Sequence, residues 1–141
     1  MITKTADIKA AVNALLENAT NIKIYGNDVV QGYEYPCLFV DMHVKTITKS
    51  KNYNENTGIF IITYMQEQPD ELDALRTYDV IKDAFGTKLQ VGNRYIEIED
   101  IEYSYVGRDE NIMQIEIDFA YSDRLEMKEH KPVIESVKVN M

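Results

Sequence analysis

The chain has 141 residues, 45% of them hydrophobic and 28% charged, which is one domain's length with enough apolar content to bury a core without staples. Its 24 acidic and 15 basic residues leave a net charge of −9, the wrong sign for a protein that grips phosphate backbones. The single cysteine, Cys37, excludes an internal disulfide, and no apolar run approaches the ~20 residues of a membrane span.

The first residues, interrupted by Asp7 and Lys9, lack the apolar core of a signal peptide, so the protein is expected to be made in, and to stay in, the cytoplasm of its producing cell. A helix comes first. Ile8, Val12, Leu15, Leu16 and Ala19 fall on one face at 3.6 residues per turn, with Thr5 as the expected N-cap and Asp7 in the first turn. A short extended piece at residues 22–25 closes on the turn signal Gly26-Asn27-Asp28. Gly32 and Pro36 then preclude a long regular element, and Pro36 biases Tyr35 toward an extended backbone.

Residues 37–48 read as a strand, with Leu38, Val40, Met42 and Val44 on one face and Asp41, His43 and Lys45 on the other. The polar stretch 49–58 reads as a hairpin connection. Residues 58–65 return as a strand whose Ile59, Phe60, Ile61 and Ile62 are apolar on both faces, which predicts a central position. Residues 69–85 form the second helix, with Pro69 at its first position, a stripe of Leu72, Leu75, Tyr78, Ile81 and Phe85, and Gly86 ending it in a left-handed conformation.

The rest is β. Residues 88–91 and 95–98 flank Gly92-Asn93, a tight hairpin signal. The apolar phase then slips from Ile96 and Ile98 to Ile101, Tyr103 and Tyr105, which predicts a bulge near Glu99-Asp100. Met113, Ile115, Ile117, Phe119 and Tyr121 alternate with polar residues as the clearest strand of the chain. A charged run follows, and Pro132 then introduces a β-branched segment around Val133, Val137 and Val139. The expected fold is α+β: an antiparallel or mixed β-sheet, two α-helices packed on one face, and an extended C-terminal tail. Residues 1–122 form a single domain and residues 123–141 a C-terminal extension.

No chemistry assembles from these elements. Cys37 and His43 share a strand face but lie roughly 20 Å apart along it, too far for a nucleophile and its base. His130 sits in a charged tail run, and Ser104 has no histidine near it in sequence. Glu97, Glu99, Asp100 and Glu102 are the one dense acidic cluster, without a histidine or a calcium-loop pattern, so they read as a solvated strand face rather than a metal site. No phosphate-cradling glycine motif and no nucleophile elbow occurs. Lys45, Lys49 and Lys51 read as a solvated edge. The expectation is a non-enzymatic chain without cofactor or metal. Tyrosine is abundant instead, ten residues against no tryptophan, and tyrosines in loops suit protein interfaces.

The stretch from Ile24-Tyr25 through Gln31-Gly32-Tyr33 to Pro36-Cys37-Leu38, behind an amphipathic helix, resembles the tail terminator proteins of long-tailed phages and prophages of Gram-positive bacteria. The downstream order, an Ile-Thr-Tyr strand end, an acidic helix and the closing Phe119-Ala120-Tyr121, is similar as well. The resemblance implies a virion structural protein at the tail end nearest the head. It would be a hexameric ring that stops the tail tube, contacts tube protein, possibly sheath, and docks the head–tail connector while DNA passes unbound through the lumen. On that reading Gln31, Gly32, Tyr33, Tyr35 and Tyr53, with Val133, Val137 and Val139 of the tail, are expected at oligomer or partner interfaces. The alternatives are another neck component, a bacteriocin-type tail cap, or a small acidic ligand-binding or toxin-neutralising module.

Overall fold

The computed structural model describes residues 3–29 and 31–124. In chain order these form α1 (Thr5–Thr20), β1 (Lys23–Tyr25), β2 (Cys37–Ser50), β3 (Tyr53–Met65), α2 (Glu71–Phe85), β4 (Lys88–Val91), β5 (Arg94–Val106) and β6 (Ile112–Arg124). The strands make one six-stranded sheet in the order β1-β2-β3-β6-β5-β4. β1 runs parallel to β2 and every other pairing is antiparallel, so the sheet is mixed.

The registers define two faces. Val40, Ile62 and Ile115 lie side by side, as do Met42, Phe60 and Ile117, and Ile101 and Tyr103 continue those rows on β5. This face packs with Ile8, Val12 and Leu16 of α1 and Ala74, Ile81 and Phe85 of α2 into one core. Phe60 stacks on Phe119 at 4.3 Å, and Phe119 leaves no room for a side chain at Gly58. A Cβ there would meet Phe119 Cε1 at 2.8 Å and the carbonyl oxygen of His43 at 2.6 Å. Among the described residues, the opposite face carries no helix. Phe39, Ile59, Ile61, Thr63 and Met65 lie half-buried on it beside the carboxylates of β5 and β6.

The α+β reading, the central third strand, the Gly92 hairpin and the bulge, which the register shift places between Ile98 and Asp100, all hold. Several local expectations change. The residue capping α1 is Lys4, with no side-chain hydrogen bond, and α1 ends on Asn21 in the left-handed conformation. α2 starts at Glu71 rather than Pro69, and Asp70 caps it: its carboxylate accepts from the Asp73 amide at 3.2 Å, satisfying a donor the helix leaves open. Of the expected stripe of α2, Ile81 and Phe85 are buried and Leu75 and Tyr78 pack partly buried against the core, Ala74 and Thr77 are buried with them, and Leu72 stands 62% exposed. Thr77 tolerates burial because its hydroxyl donates to the Asp73 carbonyl at 2.9 Å. Gly86 takes a positive φ of 57° with ψ of −129°, outside the left-handed helical well. The polar stretch expected as a connection is mostly strand, so the hairpin turns at residues 51–52.

That extension is held by polar groups. Thr46 Oγ1 donates to Asn56 Oδ1 at 2.5 Å, and Asn56 Nδ2 donates to Asp123 Oδ2 at 3.2 Å. The other oxygen of Asp123 accepts from Arg94 Nη1 at 2.8 Å and from the Thr3 amide at 2.9 Å. Arg94 also donates to the Ser122 carbonyl and the Thr3 hydroxyl. Asn56 and Asp123 are buried, and this network compensates the cost of burying them. β6 therefore runs past Tyr121 to Arg124.

Candidate assembly surfaces

The segment between β1 and β2 folds back over the helix-free face of the sheet. Parallel register places Tyr25 beside Phe39, and their rings lie 5.6 Å apart. Tyr33 drops between them, edge-on to Phe39 at 5.0 Å and to Tyr25 at 6.2 Å, with Tyr35 against it at 5.5 Å. The Glu34 amide donates to the Tyr25 hydroxyl at 3.1 Å, and Gly32 takes a φ of 80° that lets the chain reverse. Gln31 and Gly32 are exposed at the tip, and Tyr35 is 45% exposed. Tyr33 is half-buried, so it anchors the segment as well as decorating it.

Tyr53 opens β3 rather than lying in a loop, and it remains 37% exposed. Its hydroxyl lies 3.2 Å from Ser122 Oγ and 3.3 Å from Glu55 Oε2, which fixes the ring at the turn end of the sheet. The structure does not bring Tyr53 to the Tyr33 cluster, because the two sit at opposite ends of the β2–β3 hairpin. Val133, Val137 and Val139 lie outside the described residues.

The acidic strand face is more extensive than Glu97, Glu99, Asp100 and Glu102. Register sets Asp100 directly opposite Asp118 and Glu102 opposite Glu116, all on the helix-free face. Glu97 and Glu99 line a depression of about 320 Å³ with Glu55, Asn56 and Tyr121. Like charges directly opposite on neighbouring strands oppose pairing, so the fold tolerates a local electrostatic cost here. Sequence spacing could not show these pairs, since each needs the register between two strands.

The groups that could carry chemistry stay apart. Cys37 is fully buried beneath the aromatic segment, and burial pushes its thiol above the ordinary value, away from a reactive thiolate. His43 is exposed on β2 and Ser104 on β5, three strands away in the sheet. Among the described residues no group of three His, Cys, Asp or Glu side chains could hold a metal ion, and no helix is long and apolar enough to cross a membrane. Near the start of α2, a cleft of about 380 Å³ is lined by Gln66, Asp70, Glu71, Ala74 and Tyr105. The Tyr105 hydroxyl is buried without a hydrogen-bond partner, and burial raises its pKa.

Comparison with known proteins gives these surfaces a context. A chain from the virion of a native gene transfer agent particle has the same fold, with a TM-score of 0.57, 12% sequence identity, and coverage of 84% of this chain and 92% of that one. A second solved chain matches with a TM-score of 0.53 and 11% identity over 89% of this chain and 99% of its own length. No curated protein sequence matches the chain. The family model of the phage tail terminator protein matches residues 7–132, which takes in α1 from its third residue, α2 and all six strands. The chain therefore belongs to the phage tail terminator family, whose members are structural virion proteins and not enzymes.

Proposed function

We propose that the protein ends the tail tube as a six-membered ring and offers the docking surface for the head–tail connector. Family membership over residues 7–132 carries this reading. The likeness in fold to a chain of a gene transfer agent virion is consistent with it. A net charge of −9 suits a channel that passes DNA without holding it, because a negative wall repels phosphates. On this reading Gln31, Gly32, Tyr33 and Tyr35 at one end of the sheet and Tyr53 at the other meet neighbouring subunits or tube protein. The segment bearing Val133, Val137 and Val139 is assigned the same role, as a strand added to an edge that a neighbouring virion protein offers. Assembly takes place in the host cytoplasm, before the tail joins the head.

The test is electron cryo-microscopy of the tail end nearest the head, with native mass spectrometry of the protein alone and on purified tubes. Six copies in one layer between tube and connector are expected. A different copy number, or density elsewhere in the particle, overturns the reading.

A further inference from the structure

The sheet is covered unevenly at its two sides. β1 pairs with β2 only at Cys37, Leu38 and Phe39, so among the described residues no strand lies outside β2 from residue 40 to Ser50. β4 pairs with β5 only from Arg94 to Glu97, and the Ile98 amide reaches the Thr87 carbonyl at 2.9 Å. From residue 99 to Val106, no strand lies outside β5 among the described residues either. These are unpaired backbone edges of roughly 30 Å and 25 Å at about 3.3 Å per residue, long for a protein that must not aggregate.

The two edges carry opposite charge. The open part of β2 holds Lys45 and Lys49, followed by Lys51 in the turn, against the single acid Asp41; Lys49 already reaches Glu55 at 3.4 Å. The open part of β5 holds Glu99, Asp100 and Glu102 and no cation. Asp100 and Glu102 face Asp118 and Glu116 across the ladder, and none of the four forms an ion pair among the described residues. Lys45 shares their face: it pairs with Thr57, Thr57 with Ala120, and Ala120 with Glu97.

We infer that the open edge of β5 in one protomer pairs with the open edge of β2 in the next, so that the sheet continues around the ring. The inference rests on the ring reading and names its interface. Strand direction fits, because β2, β3, β6 and β5 alternate and a neighbour in the same orientation presents β2 antiparallel to β5. Like edges reject each other, lysine against lysine and carboxylate against carboxylate, so charge selects the head-to-tail contact that closes a ring over a two-fold dimer. The contact sets Lys45 beside Asp100 and Glu102 and relieves the acid pairs inside the protomer. The open part of β2 lies toward Ser50, and that of β5 toward Val106, which is the opposite end of the sheet. Neighbours are therefore staggered, and in a closed ring the strands tilt from the axis to absorb the stagger.

Charge reversal tests this on the full chain. Lys45→Glu and Glu102→Lys each raise the concentration needed for ring assembly by about tenfold, and the double variant recovers assembly. The melting temperature of the dissociated protein is not lowered in any of the three, and Glu102→Lys, which replaces the repulsion from Glu116 by attraction, raises it slightly. In parallel, hydrogen exchange shows the amides of residues 41–50 and 99–106 gaining protection only in the ring. Rings that form equally well in both single variants, without new protection, overturn the inference while the ring reading stands. A wild-type protein that makes no ring, alone or on tubes, overturns the ring reading and this inference with it. Protection of residues 99–106 already present in the monomer and lost on deleting residues 125–141 gives that edge to the chain's own tail, and overturns the inference while leaving the ring.

Discussion

Gly58 shows how one position can govern the centre of the sheet. It sits mid-strand, paired with Val44 on one side and Phe119 on the other, and the Phe119 ring occupies the space its side chain would need. Gly58→Ala must displace that ring and its stack on Phe60, so a loss of about 2 kcal/mol is expected in urea denaturation. Recovery of part of that loss in Gly58→Ala with Phe119→Leu identifies the ring as the cause. Tyr64 makes a second residue-scale case. It is buried, its hydroxyl donates to Asp73 Oδ2 at 2.6 Å, and burial with that hydrogen bond pushes its pKa up to about 12. The raised pKa belongs to the folded state, so the stabilisation is complete below the unfolded value of 10 and is lost as pH rises from 10 through 12. Melting temperatures should fall across that window in the wild type and less steeply in Tyr64→Phe. Parallel curves from the two proteins would show that Tyr64 contributes nothing to the alkaline limit.

At the scale of elements, two polar or aromatic clusters hold segments that periodicity leaves unexplained. The aromatic group on the helix-free face ties the β1–β2 connection down through Tyr33, whereas Tyr35 projects outward. Tyr33→Ala is expected to cost about 1–2 kcal/mol of stability through lost ring contacts. Tyr35→Ala should leave melting unchanged and weaken assembly on tail tubes. If Tyr35→Ala instead lowers the melting temperature with assembly intact, that ring belongs to the fold and not to an interface. The second cluster joins the segment before α1, β2, β3, β5 and β6 through Asp123. Asp123→Ala strands Arg94 and Asn56 from a common acceptor, and about 3 kcal/mol should be lost in chemical denaturation. A loss under 0.5 kcal/mol, the scale of an ordinary surface substitution, would mean water replaces the carboxylate at little cost.

For the whole molecule, the distribution of cover is the informative feature. Helices shield one face of the sheet, and the other carries half-buried isoleucines among carboxylates. Among the described residues, a face covered only by the β1–β2 segment and two half-open edges leave much to be satisfied by neighbours. The charged run after Arg124 then leads to the β-branched segment at 133–139. Truncation after Glu129 should leave the melting temperature unchanged while abolishing incorporation into particles. Unfolding of the truncated chain would instead make that segment part of the protomer's own sheet.

Local pattern determined much of this protein. The apolar stripe of α1, the Gly92-Asn93 hairpin, the slipped phase at Glu99-Asp100 and the alternation from Met113 to Phe119 each express a period set by backbone geometry, so each could be read without knowing its neighbours. Short motifs around Tyr25, Tyr33 and Phe119 likewise suffice for the family resemblance. Tertiary structure decided the rest. Asn56 looks like a turn residue until β6 supplies Asp123 as a partner; Leu72 looks buried until the arrangement of α1 and the sheet selects Ala74 and Thr77. Which carboxylates oppose each other, and which backbone edges stay open, depends on strand order and register. Those are long-range pairings between segments that no local period connects, and here they place the surfaces on which assembly is proposed to depend.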